Sequence, residues 1–168
     1  MTIEVRPESP SDVSAIETLT TAAFLDAPHT SHTEQFIVAA LRRAGVLTVS
    51  LVAVEEGAVV GHVAVSPVVI SDGAVGWYGL GPISVLPARQ GQGIGSRLML
   101  EALGALRTRA AAGCVLLGDP AFYARFGFRM EPGLVLPGVP PEYFQVLAFG
   151  AALPRGVVTY HAAFDARA

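Results

Sequence analysis

The stretch that most constrains this chain is "ARQGQGIGS", residues 88–96. Three glycines alternate with Gln and Ile there, between a β-rich run and a helical run. A strand that passes into a helix through glycines leaves main-chain N–H groups free at the helix start, where the helix dipole favours an anion. With no Cβ in the way, successive amides can converge on one phosphate. The bland alternative is a tight strand-to-helix turn that binds nothing.

Residue types narrow the choice of anion. Lysine is absent, which removes both a GxxxxGK[ST] phosphate loop and a Schiff-base lysine. A dinucleotide fingerprint needs GxGxxG; Gly91 and Gly93 fit its first two positions, but the third falls on Ser96. Asp119 could imitate the ribose-binding acid of such a site, so a nucleotide oxidoreductase is a rival reading. Against it, the preceding strand carries Gly79, Gly81 and Pro82, poor material for a buried parallel strand.

Elsewhere the apolar periodicity defines the elements. Ile3–Arg6 reads as a strand, and "SPSD" as a helix start with Ser9 as N-cap, Pro10 first in the helix and Asp12 closing a capping box. Val13, Ile16, Ala23 and Phe24 form that helix's apolar face. A second helix starts at Glu34, capped by Thr33, and Gly45 stops it. From Val46 the period becomes strand-like: "LTVSLVAV", "AVVGHVAV" and "VGWYGLGPISV" are separated by turns at Glu56-Gly57 and Asp72-Gly73, which predicts an antiparallel meander. The glycine loop, a helix over about residues 94–109 and a buried strand "CVLLG" follow. Asp119 and Pro120 then open a short helix ending at Gly127. The tail offers two more strands, "EYFQVLAF" and "GVVTY". One domain over residues 1–168 is expected.

Several function classes drop out. A single Cys114 excludes an internal disulfide or CxxC site, and His29, His32, His62 and His161 have no metal-ligand spacing. A net charge of −3 disfavours nucleic acid as a partner. No apolar run approaches a membrane span, and the N-terminal stretch is acidic where a signal peptide is basic, so a cytoplasmic protein off the membrane is expected. The apolar tail "FQVLAFGAAL" suggests a homodimer.

The residues together resemble a known family. Gln90-Gly91-Gln92-Gly93-Ile94-Gly95 is similar to the Q/R-x-x-G-x-G/A signature of the GCN5-related N-acetyltransferases (GNAT). Upstream, "LGPISVLP" looks like that family's fourth strand. Downstream, "FYARFGF" looks like its fourth-helix ending, and with "PPEYFQVLAF" the pattern is nearest the YhbS-like branch of acetyltransferases.

The resemblance implies an α+β fold in three α/β/α layers, with a mixed, mostly antiparallel sheet and a splayed parallel strand pair, "GPISV" against "CVLLG". It implies acetyl-CoA as co-substrate. The pyrophosphate would rest on the amides of Gln92, Gly93, Ile94, Gly95 and Ser96, with Gln90 opening the signature. Backbone of Ile83 and Val85 would pair with the pantetheine, and the Val85 amide would polarise the thioester carbonyl. Tyr123 takes the general-acid position, and Glu34 is a candidate base. The expected reaction is direct acetyl transfer to the primary amine of a small molecule or peptide in a ternary complex, without a covalent nucleophile. A non-catalytic acyl-CoA-binding domain is the other alternative.

Overall fold

In the computed structural model, residues 2–28, 30–150 and 152–168 are described. Strands β1 (Ile3–Pro7), β2 (Val49–Glu55), β3 (Ala58–Ile70) and β4 (Trp77–Val85) form the expected antiparallel meander. Strand β5 (Gly113–Leu117) runs parallel to β4, and β7 (Phe144–Ala148) runs antiparallel to β5, so the sheet order is β1-β2-β3-β4-β5-β7. The far end of β3 pairs with β8 (Gly156–Tyr160), which also carries the two-residue β6 (Leu134–Val135). This mixed sheet lacks the strand–helix alternation of a dinucleotide-binding half, and the oxidoreductase rival falls with it.

Period-2 alternation along β3 decides what lies on each face. Val63 and Val65 join the core under helix α3 (Ile94–Thr108), whose Leu98, Met99, Ala102 and Leu106 are fully buried. Ala64 and Val52 face the other way, against Ile16 of α1 (Val13–Phe24) and Val38 of α2 (Glu34–Arg43). Helix α3 sits close because Gly61 has no side chain: a Cβ there would stand 2.9 Å from Leu98 Cδ1 and 3.1 Å from Ile94 Cγ2.

The functional geometry follows from one irregularity. The parallel β4–β5 ladder joins Trp77 to Gly113, Tyr78 to Cys114 and Gly79 to Val115, and stops there. Immediately beyond, β4 holds one more residue than β3, since Leu80 pairs with Val65 but Ile83 with Val63. A bulge of this kind bends its strand, and here it leaves residues 80–85 unpaired on the β5 side. The predicted splay is present.

Local differences from expectation have local causes. Asp12 closes the cap as expected, accepting from Ser9 N–H at 2.7 Å, but also receives Arg6 through both guanidinium nitrogens (2.7 and 3.2 Å). Thr33 occupies the start of α2 without a side-chain cap bond. Strand β3 continues past Val65 to Ile70 because β8, far along the chain, pairs with Val68–Ile70. His29 lies outside the described residues.

Candidate functional site

The turn from β4 into α3 is built to present amides. After a single 3-10 turn at Pro87–Arg89, Gly91 (φ +77°) and Gly93 (φ +85°) take left-handed conformations that only glycine adopts cheaply, and an added Cβ at either would meet open space. No backbone N–H from Gly91 to Ser96 finds an acceptor among the described residues; Arg97, donating to Gly93 O at 3.1 Å, is the first. Six consecutive donors therefore crowd the first turn of a fifteen-residue helix.

The side chains around this turn brace it or line the cleft beside it. Gln90 Nε2 donates to Val85 O at 3.1 Å, holding the loop against the end of β4. Arg89 pairs with Glu55 of β2 through both guanidinium nitrogens and bonds Gln92 Oε1 through Nε at 2.9 Å. Arg97 donates to Ile3 O. The cleft, about 280 Å³, is lined by Val85, Arg89, Gln90, Gly91, Gly93, Ile94, Gly95, Ser96, Phe122 and Arg125. The Arg125 guanidinium stacks 4.7 Å over Phe122 and has no carboxylate partner among the described residues, so its charge is available to an anion in the cleft.

Strand β4 supplies the second wall. Leu86 N–H donates to Val60 O on β3. Main-chain groups alternate in direction along a strand, so those of Ser84 also face β3 while those of Ile83 and Val85 face the gap left by β5. The two positions expected to bind an extended ligand arm are therefore the ones turned toward the gap, although the Val85 carbonyl there already accepts from Gln90 Nε2.

Tyr123 closes the short helix α4 (Pro120–Tyr123) just after β5. Asp119 caps that helix, accepting from Ala121 N–H at 2.9 Å. The Tyr123 ring packs edge-on to Phe122 (4.9 Å) and Phe128 (6.3 Å) and occupies the space that a side chain at Gly118 would need. Burial, reinforced by the Asp119 charge, raises its phenol above the ordinary value, so it keeps its proton at neutral pH. It packs against Phe122, which lines the cleft, and is not itself among the lining residues.

Two other groups are less engaged with the cleft. Glu34, at the start of α2, accepts both contacts from Thr30 Oγ1 (2.8 and 2.7 Å) and is not among the cleft residues. Cys114 is fully buried, its thiol raised by burial, and offers no thiolate.

What sequence reasoning missed is mostly cross-strand. The Glu55–Arg89 brace joins residues 34 apart, and the Phe122–Arg125 stack was readable only as an i, i+3 pair on a short helical turn. Among the described residues there is no cluster of metal-ligating side chains and no helix long and apolar enough to cross a membrane.

Comparison with known proteins agrees with this geometry. A family profile described as "Acetyltransferase (GNAT) domain" matches residues 47–130. The Escherichia coli K12 protein named "Uncharacterized N-acetyltransferase YhbS" is 39% identical over 127 residues, 75% of this chain and 73% of the relative. Among solved structures, a GNAT family acetyltransferase from Brucella melitensis in complex with acetyl-CoA is 51% identical. It covers 98% of this chain and 99% of its own, with a TM-score of 0.87. The YhbS structure from Escherichia coli in complex with CoA has the same TM-score at 35% identity, over 97% of this chain and 92% of that one.

Proposed function

Since the chain belongs to the GNAT family of N-acetyltransferases, we propose that it moves the acetyl group of acetyl-CoA to the primary amine of a small molecule or peptide, by direct attack in a ternary complex. The observation that carries this reading is the row of six unpaired amides from Gly91 to Ser96, opening onto the unpaired edge of β4. An extended, doubly charged ligand fits both at once.

The donor set suits acetyl-CoA. The amides of Gln92, Gly93, Ile94, Gly95 and Ser96 would take the pyrophosphate, with the Arg125 cation beside them. Main-chain groups of Ile83 and Val85 would hold the pantetheine arm as a neighbouring strand would, and the Val85 amide would polarise the thioester carbonyl. The coenzyme supplies an activated thioester, so the protein's task is to align an amine and manage protons. Tyr123, kept protonated, is the donor for the departing thiolate. Glu34 is the weaker candidate for accepting the amine's proton, because its carboxylate is already tied to Thr30.

Thiol release from acetyl-CoA, followed against a broad panel of primary amines, tests the reaction. Turnover with at least one amine is expected, with no acetyl-enzyme trapped at Cys114. Tight acetyl-CoA binding without turnover on any amine would favour a non-catalytic binding domain.

A further inference from the structure

Among the described residues, four buried side-chain atoms lack a hydrogen-bond partner: His62 Nδ1, Ser66 Oγ, Ser84 Oγ and Tyr160 OH. They form a buried polar row on β3, β4 and β8. The Tyr123 hydroxyl is not one of these sealed atoms, although its ring is half-buried in the core under α3.

What fixes that ring is a residue with no side chain. Gly118 directly follows β5, and its φ lies outside the left-handed region, so the backbone there does not call for glycine. The contact does. A Cβ at Gly118 would run into Tyr123 Cε2 and stand 2.8 Å from Cδ2 and 3.1 Å from Cζ, the carbon that carries the hydroxyl. Carbon atoms in ordinary contact are about 3.5–4.0 Å apart, so one added methyl would move the ring by roughly 1 Å or more.

The chain between the two residues has little freedom to compensate. Asp119 caps α4 through Ala121 N–H, and Pro120 fixes the first helical φ. The Phe122 and Tyr123 amides both donate to Asp119 O at 3.1 Å, and Gly118 N–H donates to Tyr143 O at 2.9 Å. One turn of helix thus folds Tyr123 back onto the strand the chain has just left, with Phe122 and Phe128 against its edges.

The place matters as much as the fit. Gly118 lies three residues past Val115, the last rung of the β4–β5 ladder, as Pro82 lies three past Gly79. It therefore stands at the β5 wall of the gap, across from the stretch of β4 that holds Ile83 and Val85. Alternation puts its missing side chain on the face of Cys114 and Leu116, which pack under α3, the helix whose first turn carries the free amides.

Resting on the acetyl-transfer reading above, we propose that Gly118 is a positioning residue: its empty side-chain position sets the Tyr123 hydroxyl at the β5 wall of the gap, where the departing thiolate would form. The step itself is unchanged. As the C–S bond breaks, the phenol proton passes to sulfur, and the phenolate regains a proton from solvent. Gly118 touches no reactant and acts only through Tyr123.

In thiol release with the fastest amine of the panel, Gly118→Ala should lose about 10²-fold in kcat, the effect of misplacing a reacting group by about 1 Å. Its acetyl-CoA affinity should stay within about twofold of wild type, and in a Tyr123→Phe background the same substitution should cost less than about twofold in kcat, because the hydroxyl it would misplace is already gone. A crystal structure of Gly118→Ala should show the Tyr123 ring swung off β5. Added to Tyr123→Ala, Gly118→Ala should leave the urea midpoint unchanged, which decides the matter even if the single variant folds poorly. A kcat loss of the same size with and without the hydroxyl, an unmoved ring, a midpoint loss that persists without the ring, or no kcat loss at all overturns the proposal. If wild type binds acetyl-CoA yet acetylates no amine, the acetyl-transfer reading has failed and the positioning role goes with it; additive losses in a working enzyme strike the positioning role alone.

Discussion

The donor proposed for the departing thiolate, Tyr123, must still hold its proton when the thiolate forms, and burial beside the Asp119 charge raises its phenol in that direction. Tyr123→Phe should lower kcat by about 10²-fold while acetyl-CoA affinity, measured by calorimetry, stays within error. Loss of both together would assign the hydroxyl to holding the coenzyme site together, with no separate part in the chemical step. His62 allows a prediction about stability. Its folded-state pKa lies near 4, below the ordinary 6.5, so between these values the unfolded chain binds the extra proton. The stabilisation is complete above about pH 6.5 and is lost as pH falls through about 4. Urea midpoints should therefore rise with pH across that window, and His62→Gln should flatten the rise. Asp12 adds a second acid-labile contact, held low by Arg6 and by the Ser9 amide. Asp12→Asn should cost about 1–2 kcal/mol at neutral pH, and the difference from wild type should close in strong acid.

At the level of elements, α3 is where stability and function meet. Gly61→Val would push methyl groups into Leu98 and Ile94, lifting the N-terminal turn of α3 off β3. A loss of about 1–3 kcal/mol by chemical denaturation is expected, with weaker acetyl-CoA binding alongside it. Gly93→Ala meets no neighbour, so its strain is confined to the backbone; it should cost only about 1 kcal/mol of stability yet reduce coenzyme affinity more than Gly61→Val does. These elements were legible in the sequence because their signals are local. Ile94, Leu98, Ala102 and Leu106 repeat at helical spacing, the loop's glycines are contiguous, and the meander's turns are marked by Glu56-Gly57 and Asp72-Gly73. The polar row of His62, Ser84, Ser66 and Tyr160 was not legible. It depends on which residue of β4 faces which residue of β3 across a bulge, and on β8 returning from the chain's far end to cover Gly79. Read singly, His62 is one polar residue in an alternating strand; only the register turns it into part of a row.

For the molecule as a whole, the cleft beside the glycine turn and the polar row of His62, Ser84 and Ser66 lie near the same break in the sheet. A ligand that binds only the folded chain stabilises it in proportion to the logarithm of its excess. Acetyl-CoA at about a hundred times its dissociation constant should contribute about 2.7 kcal/mol, raising Tm by roughly 5–10 °C in a domain of this size. NADH at the same concentration should leave Tm unchanged; a comparable rise with NADH would contradict the coenzyme assignment. The parting of β4 from β5 after Gly79 has a consequence for the chain's lifetime in a cell. An empty molecule carries an unfinished seam through its middle, where most sheets expose only their margins, and any passing extended peptide can zip into it. Metabolic supply of the coenzyme would then govern survival as well as turnover, with starvation leaving a population prone to clump.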